Sequence, residues 1–234
     1  MHERADRPVP STGFTVEALG PFKFYQPATG HRLTTDSVLL ADFILPAPVG
    51  GPFRVIDLGT GTGAIPLLLA AKARRARITG VEIERGLVGL ARRNVEENGL
   101  GDRMDIVEGD MREVCAGLAQ GSYDLVVSNP PYVRKGEGRV SPYPARAAAR
   151  SEQSCTMAEL ISTAGRLMAG CGRFAFVYPA RRLAQAFSEL ERAGLGVARL
   201  RFVHTGRKKE ARLFMAEASF AKGGDMRVEE PVIL

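Results

Sequence analysis

The chain has 234 residues, 45% of them hydrophobic and 25% charged, which is typical of a globular protein built around one large core. No uncharged run approaches the length that crosses a bilayer, and residues 1–11 lack the apolar core of a signal sequence, so we expect a soluble, cytoplasmic protein without a membrane partner. The three cysteines are scattered without metal-ligand spacing, which argues against a disulfide framework, and the net charge of +6 is compatible with a polyanionic partner.

The N-terminal region is predicted to form a hairpin followed by a helix. Two β-prone runs, 14–19 and 22–26, flank a Gly-Pro pair and indicate two strands joined by a tight turn. An apolar stretch begins at Val38, and we expect Thr35 or Asp36 to be the N-cap of the helix that contains it. For Thr35 a plain capping role and a direct contact with a cofactor are both compatible with the pattern.

A glycine-rich segment follows the first buried-strand pattern. The apolar run 54–56 leads into Asp-Leu-Gly-Thr-Gly-Thr-Gly at 57–63, and a helical pattern begins at Ala64. Glycines after a strand let the backbone approach a ligand closely, and the N-terminus of the following helix is electropositive. The sequence therefore predicts a cofactor site with backbone contacts at Gly59, Gly61 and Gly63. A basic cluster at 72–77 lies at the far end of this helix and is not expected near that site.

Two classes of cofactor use such a segment. The spacing of Gly59, Gly61 and Ala64 satisfies the dinucleotide fingerprint, and Glu82 lies near the usual ribose-binding acid, so an NAD-dependent oxidoreductase is one alternative. Asp57 favours the other class. A carboxylate at the entrance of the loop would repel a pyrophosphate, whereas it would attract the cationic amino-acid end of S-adenosylmethionine (SAM).

The next two strands supply further candidates for cofactor binding. The strand at 78–82 ends in Glu82, which is predicted to accept hydrogen bonds from ribose hydroxyls. The strand at 104–107 precedes Asp110 and Met111. Asp110 is predicted to accept from the adenine amine and Met111 to pack on the ring, although Asp110 could instead only cap a helix over 111–119.

The strand at 123–128 ends in Asn129-Pro130-Pro131-Tyr132. The prolines cannot continue a central strand, so the chain leaves the sheet there. The Asn129 side-chain oxygen and the Pro130 carbonyl can accept both hydrogens of an amino group, and Tyr132 can stack on the planar group that carries it. Because ligands bind beyond the carboxyl ends of parallel strands, we expect this segment on the same edge as the glycine-rich segment. An ordinary strand-to-loop turn is the alternative interpretation.

The remaining chain is predicted to contact the substrate. A long basic loop at 133–151 contains Arg134 and Lys135, and strands at 197–204 and 213–220 are joined by a short turn, which requires them to be antiparallel. That turn carries Arg207, Lys208 and Lys209. Both basic segments suit a phosphate backbone, and a solvated basic surface is the alternative.

Residues 57–63 and 129–132 together resemble class I SAM-dependent methyltransferases that modify exocyclic or amide nitrogens. With 24–43 and 206–212 added, the pattern resembles the bacterial tRNA(Val) adenine N6-methyltransferase family. The resemblance implies an α/β, Rossmann-like fold with helices on both faces of a seven-stranded, mostly parallel sheet whose last strand is antiparallel. It implies SAM as methyl donor, S-adenosylhomocysteine (SAH) as product, no metal, and tRNA as partner. Asn129 and Pro130 would orient N6, Tyr132 would stack on the adenine, and Pro131 would contact the substrate.

The same resemblance suggests three segments. Residues 1–50 would form an extension over the active site, 51–220 the methyltransferase domain, and 221–234 a C-terminal tail. Alternatives are a glutamine-amide methyltransferase acting on a release factor, an rRNA guanine N2-methyltransferase, the NAD-dependent oxidoreductase and a non-catalytic RNA-binding module.

Overall fold

The computed structural model describes residues 13–44, 53–131, 155–220 and 224–234, and the elements below are those of these ranges. The strands are β1 (Phe14–Leu19), β2 (Phe22–Pro27), β3 (Phe53–Leu58), β4 (Ala76–Glu82), β5 (Met104–Glu108), β6 (Tyr123–Ser128), β7 (Met168–Pro179), β8 (Gly196–His204), β9 (Ala211–Ser219), β10 (Arg227–Val228) and β11 (Val232–Ile233). The helices are α1 (Thr35–Ile44), α2 (Ala64–Lys72), α3 (Arg85–Glu97), α4 (Met111–Val114), α5 (Met157–Leu167) and α6 (Leu183–Arg192).

The main sheet has the order β10-β8-β9-β7-β6-β3-β4-β5, and β11 also pairs with β8. Among the described strands of this sheet, only β9 runs antiparallel to its neighbours, β7 and β8. The prediction of a Rossmann-like, mostly parallel sheet with a late antiparallel strand is confirmed. The order reverses between β3 and β6, which opens a crevice for ligands at the carboxyl ends of these two strands.

The expected count of seven strands omits two. Seven long strands, β3 to β9, form the sheet that was predicted, and the segment that was interpreted only as a tail adds β10 and β11 alongside β8. Backbone hydrogen bonds from Glu229 N–H to the Leu200 carbonyl (2.8 Å) and from Leu234 N–H to the His204 carbonyl (2.9 Å) hold this tail. Strands of two residues have no periodicity by which the sequence could reveal them.

Apolar cores lie on both faces of the main sheet. One core packs α1, α2 and α3 against side chains that include Val55, Ile78 and Val127. The other packs α5 and α6 against the opposite side chains, such as Ile56 and Phe176. Neighbouring positions in one strand face opposite cores, as the pleat requires, and this explains the continuous apolar runs in the sequence.

The N-terminal hairpin and helix form where they were predicted, but the cap does not. The helix α1 begins at Thr35, so Thr35 and Asp36 lie in its first turn and neither is the N-cap. Asp36 is buried because its carboxylate pairs with the Arg212 guanidinium at the start of β9, at 2.5 Å. An ion pair between residues so far apart in the chain competes with the local capping role and cannot be inferred from local sequence.

Candidate active site

The loop after β3 has a backbone that only glycine adopts without strain. Gly59, Gly61 and Gly63 have φ values of 77°, 59° and 81°, all in the left-handed region. A Cβ added at Gly61 would meet no atom within 4 Å, and one at Gly59 would meet only the Met111 methyl carbon at 3.9 Å. The loop therefore faces open space at Gly59 and Gly61, where a ligand can approach, whereas a Cβ at Gly63 would lie 3.6 Å from the Ala91 Cβ of α3.

Asp57 is a buried carboxylate at the end of β3, next to this loop. Its side chain is 1% exposed, and among the described residues neither of its oxygens has a hydrogen-bond partner. Burial raises the pKa of Asp57 to about 7; the nearby Thr60 hydroxyl opposes this rise, and the Glu82 carboxylate adds to it. A buried carboxylate without a partner is unstable unless a donor or a cation reaches it, so the site fits a ligand with a positive charge.

Glu82 ends β4 and organises the neighbouring backbone. One carboxylate oxygen accepts from the Gly61 N–H at 2.8 Å, and the other accepts from the Ile83 and Glu84 N–H groups at 2.9 Å each. These bonds fix the glycine loop to the end of the adjacent strand. A carboxylate has about four acceptor positions, so three backbone donors leave capacity for one hydroxyl of a ligand.

Asp110 has the capping role that was the alternative to its predicted contact with adenine. Its carboxylate accepts from the Arg112 N–H at 2.8 Å at the start of α4, and it also pairs with the Arg112 guanidinium, whose Nε lies 2.9 Å from Oδ1. The Arg112 side chain lowers the pKa of Asp110, which stays ionised and can only accept hydrogen bonds. Arg112 also reaches Glu159 at 3.3 Å and so joins α4 to α5.

The predicted helix over 111–119 is shorter than expected. The helix α4 ends at Val114 and a single 3₁₀ turn, Cys115–Gly117, follows it. The Gln120 side chain donates to the Cys115 and Leu118 carbonyls at 2.6 and 3.1 Å, which satisfies groups that a longer helix would have paired internally.

Asn129 follows β6 on the same edge of the sheet as the glycine loop. The preceding Ser128 hydroxyl donates to the Leu58 carbonyl at 2.8 Å, which ties the end of β6 to the end of β3. The Asn129 side-chain nitrogen donates to the Ser37 hydroxyl of α1 at 3.0 Å. Pro130 is buried and Pro131 is exposed. This hydrogen bond from α1 fixes the orientation of the Asn129 amide group. Because the amide is planar, the position of its oxygen is fixed together with that of its nitrogen.

The predicted substrate residues fall into two groups. Arg207, Lys208 and Lys209 are exposed in the turn between β8 and β9, at the carboxyl end of β8. Beyond this turn, the Arg212–Asp36 ion pair joins the start of β9 to the first turn of α1, next to the residue that contacts Asn129. The other group, Tyr132, Arg134 and Lys135, lies outside the described residues.

Four residues near the site were not found from the sequence. Ser37 and Ser128 hold Asn129 and its strand, Arg112 pairs with Asp110, and Asn94 donates to the Thr62 carbonyl in the glycine loop at 2.9 Å. Asn94 alone carried a sequence signal, because it is a polar residue on the apolar face of a predicted helix.

The described residues fit SAM. The partnerless carboxylate of Asp57 suits a cationic amino-acid end, the remaining acceptor position of Glu82 suits a ribose hydroxyl, and the ionised Asp110 suits an adenine amine. Within the described ranges there is no group of three or more potential metal ligands, and no helix has the length and apolarity to span a bilayer.

Comparison with known proteins places this geometry in a family. Residues 32–193 match the family model described as the methyltransferase small domain. A tRNA1(Val) (adenine(37)-N6)-methyltransferase of Porphyromonas gingivalis is 33% identical over 199 residues, which cover 84% of this chain and 77% of that protein. The protein of the same name from Tolumonas auensis is 31% identical, over 83% of this chain and 78% of its own.

Solved structures agree on the fold. A predicted O-methyltransferase from Agrobacterium tumefaciens superposes with a TM-score of 0.66 at 22% identity, over 85% of this chain and 87% of that one. TYW2 of Pyrococcus horikoshii, solved with MeSAdo, gives a TM-score of 0.63 at 15% identity, over 90% and 73%.

Proposed function

This chain belongs to the methyltransferase small-domain family and is a SAM-dependent methyltransferase, and from that premise we propose that it methylates the N6 amine of an adenine in tRNA, near the anticodon. One observation carries the proposal: the Asn129 amide, held by Ser37, stands at the carboxyl end of β6 beside the glycine loop. An amide acceptor beside a methyl-donor site suits an amino group as the methyl acceptor. Relatives named as tRNA adenine N6-methyltransferases support the choice of adenine and of tRNA.

We assign the cofactor contacts as follows. The Asp57 carboxylate would attract the cationic amino-acid end of SAM, the glycine loop would line it, and Glu82 would accept from a ribose hydroxyl with its remaining lone pair. Asp110 would accept from the adenine amine and Met111, next to Gly59, would pack on the ring. Thr35 is exposed at the start of α1 and would reach the cofactor from the opposite side. When bound, SAM supplies an electrophilic methyl group.

The residues after β6 would orient the acceptor. The Asn129 oxygen and the Pro130 carbonyl would each accept one hydrogen of the adenine amino group, turning its lone pair toward the methyl donor. This orientation reduces conjugation of the amine with the ring, so the nitrogen becomes nucleophilic without a strong base, and the methylated amine would then release its extra proton to water. Tyr132 would stack on the flipped adenine. The basic turn at Arg207–Lys209, with Pro131, Arg134 and Lys135, would contact the RNA around it.

The proposal is tested by transfer of labelled methyl groups. The protein is incubated with labelled SAM and with total bacterial RNA or total protein, and the RNA is then digested to nucleosides. We expect the label in N6-methyladenosine from the tRNA fraction. Label in N2-methylguanosine of rRNA or in protein glutamine would refute the adenine assignment and favour one of the alternative methyltransferases.

A substitution at Asn129 tests the mechanism separately. Asn129→Ala should lower kcat by about 100-fold, because a misplaced amine loses orientation, while the Kd for SAH stays within about twofold. Asn98→Ala is the matched control, since it removes the same group from α3 away from this edge. Wild-type turnover by Asn129→Ala on saturating RNA would show that Asn129 does not orient the amine.

A further inference from the structure

Asn94 is a fully buried amide on the apolar face of α3, and all of its hydrogen-bonding groups except one oxygen lone pair are used. Its side-chain oxygen accepts from the Tyr25 N–H at 2.7 Å. Its nitrogen donates one hydrogen to the Tyr25 carbonyl and the other to the Thr62 carbonyl, each at 2.9 Å. A buried amide so fully paired is costly to replace, because its partners would lose their hydrogen bonds as well.

Asn98, one helical turn later, repeats half of this arrangement. Its oxygen accepts from the Lys23 N–H at 3.0 Å, and its nitrogen donates to the Lys23 carbonyl at 2.8 Å. Four residues of helix rise about 6 Å, which is close to the roughly 6.7 Å between alternate residues of a strand. The two amides therefore act as a short edge strand, and β2 is paired with β1 on one side and with α3 on the other.

Only Asn94 continues to the glycine loop. Thr62, whose carbonyl it binds, stands between Gly61 and Gly63, the two left-handed residues that shape the end of the loop. One side chain thus connects the N-terminal hairpin to the segment that lines the cofactor site. Asn98 makes the same kind of contact with the hairpin, but its side chain bonds to Lys23 and to the Asn94 carbonyl and, among the described residues, not to the loop.

We infer that Asn94 is a positioning residue through which the docked hairpin fixes the glycine loop for the cofactor. The inference rests on the proposed binding of SAM at that loop. If docking of the hairpin favours the conformation that binds cofactor, then binding of cofactor must stabilise the docked hairpin by the same factor. The hairpin then acts on the cofactor site through the bonds that Asn94 makes to Tyr25 and Thr62.

The first test compares the two asparagines. Asn94→Ala should weaken SAH binding about tenfold in calorimetry and raise KM for SAM similarly, with kcat at saturating SAM within about twofold. Asn98→Ala should leave SAH binding within about twofold. The Arg93 guanidinium packs 4.5 and 4.1 Å from the Phe14 and Tyr25 rings, so either variant retains a second contact between α3 and the hairpin. Equal loss of SAH affinity in both variants would overturn the inference.

The second test needs no variant and covers the case in which Asn94→Ala does not fold. Hydrogen exchange is measured on the native protein with and without saturating SAH. The Tyr25 amide should exchange several-fold more slowly with SAH, while the Leu234 amide, bonded to the His204 carbonyl, should not change. An unchanged Tyr25 rate with SAH bound would overturn the inference alone. No SAH binding by the native protein would overturn the proposed cofactor and the inference with it.

Discussion

Asp57 offers the sharpest test of the cofactor site, because its effects on stability and on binding should have opposite signs. Its pKa rises from 3.8 to about 7 in the folded protein. At about 1.4 kcal/mol per pKa unit, the ionised carboxylate destabilises the fold by about 4 kcal/mol at pH 8 relative to full protonation. Asp57→Asn removes this charge, although its amide would itself be buried with few partners, at a cost of about 1–2 kcal/mol.

The sign follows from the direction of the pKa change. Because the folded protein binds the proton more tightly than the unfolded chain, the destabilisation is absent below about pH 4, grows as pH rises, and is complete above about pH 7. Asp57→Asn should therefore be about 2 kcal/mol more stable than the native protein at pH 8. On going to pH 5, where the native carboxyl is largely protonated, the native protein should gain about 3 kcal/mol relative to the variant, so that the variant becomes the less stable of the two by about 1 kcal/mol.

Cofactor binding should change in the opposite direction. A cationic amino-acid end holds Asp57 ionised, so the native protein must lose a proton to bind SAH below pH 7. The native Kd should be about tenfold weaker at pH 6 than at pH 8, given a pKa of about 7 in the free protein. Asp57→Asn should bind SAH at least tenfold more weakly at pH 8 and show little change between the two pH values.

Two assays on the same preparations decide the matter. Urea unfolding at pH 5 and pH 8 gives the stability difference, and calorimetry in buffers of different ionisation enthalpy gives the Kd and the number of protons released on SAH binding. A variant that is less stable than the native protein at pH 8, or that binds SAH with native affinity, would refute the reasoning.

Three further substitutions test other parts of the structure. Lys208→Glu should weaken tRNA binding several-fold and reduce the salt dependence of the affinity, whereas Arg75→Glu, at the opposite edge of the sheet, should change neither. Equal losses of tRNA affinity in both variants, measured by filter binding, would contradict a local RNA contact at Lys208. Gly109→Ala should lower the free energy of unfolding by more than about 2 kcal/mol, because φ at Gly109 is 147° and an added Cβ would lie 2.3 Å from a methyl carbon of Val114. An unchanged midpoint of urea unfolding would exclude this strain. Glu229→Gln should destabilise by about 1–3 kcal/mol because it removes the ion pairs that Glu229 makes with two arginines of β8, while exposed Glu230→Gln should melt as the native protein does.

The parts of the fold that could be predicted are those specified by local sequence. The strand β6 is apolar from Leu125 to Val127 and ends at two prolines, so its limits follow from the chain alone. The glycine loop was predicted equally well, because left-handed backbone at Gly59, Gly61 and Gly63 requires those residues. The position of Asn129 could be predicted for the same reason, since its strand ends at the edge of the sheet where β3 ends.

The missed features depend on residues that are distant in sequence. Ser37 meets Asn129 across 92 residues, and neither has a pattern that indicates the other. Asp36 was interpreted as a cap because its partner, Arg212, is 176 residues away. The strand β10 has two residues and depends on Glu229 pairing with arginines of β8. Long-range pairing of this kind overrides local propensity, and a single sequence contains no sign of it.

The position of α1 has a consequence for the order in which the molecule assembles. The helix is synthesised early, yet two of its contacts are with late parts of the chain: Asp36 with Arg212, and the Phe43 carbonyl with Arg199 across 156 residues. Closing such long loops is slow, so we expect α1 to dock after the sheet has formed. A nascent chain could then hold its cofactor before Ser37 reaches Asn129, and the methyl group would stay unused until the last contacts closed.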